Sequence, residues 1–144
     1  MKKTYNTPLP CHGLTDRIIK AYYQVLNEIT HIKGVPEGAF KEYLATVLRA
    51  NGLHVEAEKT ILMTKDRKVI GHLRASLVVE RLVVVELKNL ERVTKKHLDQ
   101  GTLYMDYGGY PAGLILNYGV KNPKPQRIPL PGKYHKEPKP CPGS

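Results

Sequence analysis

The segment "RASLVVERLVVVELKN", residues 74–89, most restricts the fold that this chain can adopt. It reads as two apolar strands joined by a short turn, and the valines at 83–85 do not alternate with polar residues. A strand with one solvated face alternates, so both faces of this strand are expected to be covered. Glu86 and Lys88 then stand in a covered strand, where a charge needs a partner or a function. The alternative is that both charges lie on a solvated face.

The flanking hydrophobic pattern predicts helices on either side of a group of strands. Apolar residues at helical spacing predict a helix over residues 14–30, with Thr15 as N-cap, and a second helix opened by Pro36 and ended at Asn51. From residue 53 onward, the spacing of apolar residues is typical of β-strands, and "KDRK" reads as a hairpin turn. A helix weakened by Gly101 and the strand "PAGLILNYG" follow. The order α-α-β-β-β-α-β predicts an α/β domain with a mixed sheet flanked by helices.

Length and composition indicate one domain without a membrane segment. A chain of 144 residues, 41% hydrophobic, suits one globular domain. No run approaches the roughly 18 apolar residues of a membrane helix, and the start has no apolar stretch typical of a signal peptide. We therefore expect a cytoplasmic protein that does not bind membranes. Cys11 and Cys141 lie near opposite ends without metal-site spacing, so two free thiols are expected.

The charge of the chain favours a polyanionic partner, with nucleic acid, either DNA or RNA, as the leading candidate. The formal net charge is +10, and residues 121–144 carry half of it together with seven of the eleven prolines. Such a segment cannot form a helix or a central strand, although an edge strand near Arg127 remains open. We divide the chain into a leader, 1–13, a domain, 14–120, and an extended basic tail, 121–144. The tail's expected nucleic-acid-binding residues are Lys121, Lys124, Arg127, Lys133, Lys136 and Lys139.

The segments "GVPEGAF", "IGHLRASLVVERLVVVELKN" and "TKKHLDQG" occur in this order along the chain, and together they resemble the GxxExxY family of the PD-(D/E)XK nuclease superfamily. "GVPEGAF" matches the naming motif with Glu37 in place and Phe40 where the family usually has tyrosine. The strand-turn-strand of residues 70–89 and a helix with His97 and Gln100 follow. The resemblance spans residues 14–119 and implies the restriction-endonuclease-like α/β fold.

The same resemblance implies a phosphodiesterase site that uses Mg²⁺ or Mn²⁺. Glu37 and Glu86 match metal ligands, Lys88 matches the lysine that orients water and stabilises phosphate charge, and Gln100 supports the site. Hard oxygen ligands and a nearby cation suit phosphodiester hydrolysis.

Ser76 departs from this pattern, because it stands where the family has its metal-binding aspartate. A hydroxyl is neutral and a weak ligand, which predicts a remnant site that binds metal weakly or not at all. A three-residue turn at 80–82 would pair Ser76 with Glu86, whereas a two-residue turn would put Glu86 on the other face. The nuclease-like interpretation requires the longer turn. The loop before Glu37 is also about two residues longer than the family's tight turn.

Structural roles remain open for the same residues. Glu37 can complement a helix dipole, Lys88 can simply neutralise Glu86, and His97 and Gln100 can be ordinary polar positions. Tyrosines 104, 107 and 110 can stack on bases, but Tyr104 and Tyr107 are spaced as neighbours on a helix face, and packing is favoured over stacking.

Three functions follow from these observations. The leading hypothesis is a catalytically impaired, nuclease-like domain that binds nucleic acid through its basic surface and tail. The alternatives are an active nuclease that uses Mg²⁺ or Mn²⁺ with an altered metal site, and a structural subunit of a ribonucleoprotein such as a ribosome.

Overall fold

The chain forms a five-stranded mixed sheet with helices on both faces, as the pattern predicts. A computed structural model describes residues 9–29, 35–36 and 38–142. Its helices are α1 (His12–Ile29), α2 (Ala39–Ala50) and α3 (Lys95–Gly108). Its strands are β1 (Val55–Lys65), β2 (Lys68–Val79), β3 (Val83–Lys88), β4 (Ala112–Asn117) and the two-residue β5 (Gln126–Arg127).

The strands lie in the sheet in the order in which they occur in the chain. Strands β1, β2 and β3 form an antiparallel meander, and β5 pairs antiparallel with β4. Only β3 and β4 are parallel, and α3 provides the crossover that a parallel connection needs. The predicted element order is confirmed, and the edge strand that the sequence left open near Arg127 is present as β5.

Two apolar cores cover the central strand, which explains its lack of alternation. Val83 and Val85 pack with α1 and α2 in one core, while Val84 packs with α3 in the other. All three valines are fully buried. The prediction that both faces of β3 are covered is therefore confirmed.

The helix boundaries differ slightly from the prediction, for local reasons. Helix α1 begins at His12, so Thr15 is not its N-cap; its hydroxyl donates to the His12 carbonyl (3.0 Å) from within the first turn. Helix α2 begins at Ala39 rather than near Pro36, because Gly38 adopts a left-handed φ of 92° that a helix cannot include. The predicted end of α1 at Thr30 lies outside the described residues.

The two cysteines form a disulfide, so the prediction of two free thiols is wrong. Cys11 and Cys141 are 130 residues apart in sequence, but their Cα atoms lie 5.0 Å apart. Sequence spacing could not reveal this contact, because it arises only when the proline-rich tail crosses the domain.

The tail lies against the domain over much of its length. Ile128 is buried, and Tyr134 donates a hydrogen bond of 2.9 Å to the Tyr110 carbonyl. His135 lies beside Asp106 of α3, with 2.8 Å between ring and carboxylate. Its many prolines therefore do not keep the described part of the tail away from the domain. Among the described helices, none combines the length and apolar character needed to cross a membrane.

Candidate functional site

Strands β2 and β3 diverge at the position where the sequence predicts a site. Their register pairs Val79 with Val83 and Leu77 with Val85, which requires the three-residue turn at 80–82. The same register continues to Ser76 opposite Glu86. The longer of the two predicted turns is therefore confirmed, and the two candidate residues meet.

At this point of divergence, side-chain oxygens accept hydrogen bonds that main-chain carbonyls accept elsewhere in the ladder. The Ser76 amide donates to Glu86 Oε2 at 2.8 Å, and the Leu87 amide donates to Ser76 Oγ at 3.1 Å. Regular antiparallel strands would satisfy these amides with carbonyl groups. We call this end of the ladder the fork. Ser76 and Glu86 hold the fork together, so both residues have a structural role.

Burial dominates the electrostatics of Glu86. The residue is 5% exposed, and desolvation raises the pKa of its carboxyl from 4.5 to about 7. The hydrogen bonds from Ser76 and the charge of Lys88, whose Nζ lies 3.8 Å from Glu86 Oε1, act in the opposite direction. The charge of Glu58 adds a smaller increase. Glu86 therefore exchanges its proton near neutral pH.

The segment after Lys88 is anchored to the neighbouring strand. The buried Asn117 side chain accepts from the Leu90 amide (2.9 Å) and donates to the Leu90 carbonyl (2.8 Å). The Tyr118 amide donates to the Lys88 carbonyl at 2.8 Å. These bonds fix the main chain on which Lys88 stands.

Glu58 is a residue of this site that the sequence analysis missed. Its neighbours Ala57 and Lys59 pair with Leu77 and Ala75, so Glu58 lies opposite Ser76. It has a left-handed φ of 54° in the middle of β1, which is unusual for a residue other than glycine.

The carboxylate of Glu58 has two cationic neighbours. Lys41 of α2 donates a hydrogen bond to Oε1, and Arg74 Nε of β2 lies 4.0 Å from Oε2. The sequence carried no usable signal for Glu58, because the register set by the hairpin turn alone would put Ala57 opposite Ser76, and only a shift between Met63 and Thr64 brings Glu58 there.

Two of the residues implied by the resemblance do not join the fork. Gln100 is exposed on α3, and no hydrogen bond joins its side chain to another described residue. His97 Nδ1 accepts from the Thr94 amide at 2.9 Å and so caps the start of α3. Glu37 lies outside the described residues.

The predicted basic residues of the tail divide into exposed and inward-facing ones. Arg127 donates to Thr15 Oγ at 2.7 Å, and partial burial lowers the pKa of its guanidinium. The exposed ones are Lys121, Lys124, Lys133, Lys136 and Lys139. Five of the six side chains are thus accessible to a polyanion.

The tyrosines are used mainly in packing. Tyr104 and Tyr110 are buried, and burial raises the pKa of Tyr104 to about 12. Tyr107 stacks on the His135 ring, with 4.4 Å between centroids. The preference for packing is therefore confirmed for Tyr104 and Tyr110.

The described residues of the fork do not fit Mg²⁺ or Mn²⁺. No group of three or more His, Cys, Asp or Glu side chains that could hold a metal ion occurs within the described part of the chain. Ser76 is neutral and already accepts a main-chain hydrogen bond, and Glu58 and Glu86 each have a cationic side chain beside them. Hard divalent cations need several free oxygen ligands, which this arrangement does not provide.

Comparison with known proteins agrees with the fold. Neither a search of curated proteins nor a search of solved structures gave a match. A family model described as the PD-(D/E)XK nuclease superfamily matches residues 12–128, which is more than three quarters of the chain. The match includes all three helices, strands β1 to β4 and the fork. This chain belongs to the PD-(D/E)XK nuclease superfamily.

Proposed function

We propose that this protein is a GxxExxY-type nuclease-like domain that binds nucleic acid and has lost efficient hydrolysis. The observation that carries the proposal is the pair formed by Ser76 and Glu86. The superfamily's phosphodiesterase chemistry depends on carboxylates at such a fork, and here one position holds a hydroxyl that accepts a main-chain bond. The remaining carboxyl is buried with a pKa of about 7, so at neutral pH much of it is protonated and a poor metal ligand.

The distribution of charge supports binding as the retained activity. The chain carries a net charge of +10, and five tail lysines are exposed although the tail packs on the domain. Nucleic-acid binding driven by lysine and arginine needs only accessible cations near the phosphates. It does not require the missing carboxylate.

Residual metal-dependent cleavage is a second candidate, and one observation favours it. The Glu58 carboxylate lies opposite Ser76 and influences Glu86 electrostatically. If Glu58 exchanged its cationic neighbours for a metal ion, it would supply the carboxylate that Ser76 lacks.

A cleavage assay separates the two candidates. Wild type, Ser76→Asp and Glu86→Ala would be prepared identically and incubated with plasmid DNA or structured RNA, with Mg²⁺ or Mn²⁺. We expect no cleavage by wild type and a gain of metal-dependent cleavage by Ser76→Asp, because an intact scaffold would regain its ligand. Cleavage by wild type that Glu86→Ala abolishes would instead establish a working nuclease.

A further inference from the structure

Among the residues that the structure describes, the fork brings together more cationic than anionic side chains. Three elements supply the cations: Lys41 comes from α2, Arg74 from β2 and Lys88 from β3. The fork cluster consists of these three cations together with Glu58, Ser76 and Glu86. Where the superfamily's chemistry places carboxylates to attract a divalent cation, the described residues of this cluster carry a net positive charge even with both of their carboxylates ionised.

The geometry joins these residues into one electrostatic unit. Glu58 contacts both Lys41 and Arg74, and Glu86 lies beside Lys88. Ser76 lies between the two carboxylates, because β1 and β3 both flank β2 at this position. The charge of Glu58 also acts on Glu86, which places the two halves of the cluster within electrostatic reach.

The cations remain accessible from solvent. The exposed fraction of the side chain is 69% for Arg74, 23% for Lys88 and 20% for Lys41. Arg74 can offer a planar pair of donors to two phosphate oxygens, and the lysines can offer point charges beside it. The cluster is therefore suited to an anion with several oxygen atoms.

We infer that Lys41, Arg74 and Lys88 bind the phosphodiester backbone of nucleic acid directly at the fork, without a divalent metal ion. The inference rests on the proposed function and specifies its binding site and its independence from metal. Glu58 and Glu86 then lie beside the cations and limit how strongly these attract phosphate, Glu86 to the extent that it is ionised. They do not coordinate a metal in this arrangement.

Fluorescence anisotropy tests the inference with two labelled probes, a DNA duplex and an RNA duplex of about 20 base pairs, roughly two helical turns. Binding would be measured with EDTA and with Mg²⁺ over a range of salt concentrations. The variants are Lys41→Ala, Arg74→Ala and Lys88→Met in the full chain. Lys68→Ala is the matched control, since Lys68 is an exposed lysine of β2 about 26 Å from Ser76 at roughly 3.3 Å per residue.

We expect each fork variant to weaken binding by about five-fold and to reduce the salt slope by about one unit. Lys68→Ala should change affinity by less than about two-fold, and EDTA should have no effect on wild type. The probe that shows the larger effect identifies whether the site prefers DNA or RNA geometry.

Glu58→Gln gives the sharpest distinction from a metal site. It releases Lys41 and Arg74 from a carboxylate, so binding should tighten by roughly three-fold with a steeper salt dependence. If Glu58 served as a metal ligand, the same variant would weaken binding in Mg²⁺ and leave binding in EDTA unchanged. Circular dichroism of every variant would establish that the fold is retained.

Three results would overturn the inference. Wild-type binding that disappears in EDTA would show that metal is required. Wild-type binding that all fork variants retain would place the nucleic acid elsewhere, for example on the tail, and would leave the proposed function intact. A wild type that binds neither probe would overturn the proposed function together with this inference.

Discussion

Ser76 and Glu86 each form a side-chain hydrogen bond to the main chain of the strand opposite. Glu86 Oε2 accepts the Ser76 amide, while Ser76 Oγ accepts the Leu87 amide. The exchange holds Glu86 in a site where it is only 5% exposed. A buried carboxylate is costly, and a single ion pair with Lys88 offsets only part of that cost.

The raised pKa of Glu86 gives stability a defined pH dependence. Because the folded state holds this proton more tightly, the contribution of Glu86 to wild-type stability falls as pH rises from 4.5 to about 7. Glu86→Gln keeps the shape without the charge, so it should raise the free energy of unfolding by about 1–3 kcal/mol at about pH 8. The gain should disappear near pH 4, where the carboxyl is protonated in both states.

Urea unfolding at several pH values checks this prediction. Glu91→Gln is the control, because it removes an exposed carboxylate that lies outside the fork. A gain for Glu86→Gln that is equal at low and high pH would contradict the prediction, since it could not come from ionisation.

At the scale of elements, the presence of Gly101 in the middle of α3 is explained by Ile128, the residue that follows β5. Gly101 weakens the helix by propensity, but a Cβ there would lie 2.6 Å from Ile128 Cδ1. Gly113 of β4 also leaves room for the Ile128 side chain, because a Cβ added at Gly113 would lie 2.9 Å from Ile128 Cδ1. Ile128 therefore occupies space that two glycines leave open, and this packing attaches the start of the tail to the sheet and α3.

We expect Gly101→Ala to destabilise the protein by about 1–2 kcal/mol, because the overpacking exceeds the gain in helix propensity. The cost should shrink in an Ile128→Val background, since Val lacks the Cδ1 atom that the added methyl group would meet. Thermal unfolding of the double-mutant cycle measures this coupling. Gly13→Ala, in α1 with no neighbouring atom within 4 Å of its added Cβ, is the matched control and should be stabilising. If the effects of Gly101→Ala and Ile128→Val on stability were additive, this would contradict a contact between the added methyl group and Ile128 Cδ1.

At the scale of the whole molecule, the tail closes the chain onto itself. Cys141 reaches Cys11 at the start of α1, and the main chain of Lys136 and Lys139 donates to the carbonyls of Asp106 and Gly109. The six predicted basic residues are thus held on the domain instead of extending freely from it.

Removal of the disulfide should lower stability by about 2–5 kcal/mol, because it joins residues 130 positions apart and restricts the unfolded chain. Urea unfolding of the wild type with and without reductant measures this loss of stability. The double variant Cys11→Ser/Cys141→Ser is unfolded in the same way. Thiol titration of the unreduced, denatured protein is the control, and two titrating thiols would contradict the bond. Alkylation of free thiols at cell lysis also tests the expected cytoplasmic location. Because disulfides persist mainly in oxidising compartments, an intact disulfide in the alkylated protein would count against that location.

The sequence by itself determined the elements and the central strand. Helical spacing, turn residues and the valines at 83–85 identify the order of helices and strands, because these patterns are local. The departure at Ser76 was also visible, since it depends on one position in an ordered set of motifs.

Only the tertiary structure decided which side chains meet. The turn at Asp66 and Arg67 pairs Lys65 with Lys68, and that register alone would put Ala57 opposite Ser76. A one-residue shift between Met63 and Thr64 brings Glu58 there instead. Such irregularities and long-range contacts, including the disulfide, depend on how distant segments pack, and no local pattern in the chain encodes them.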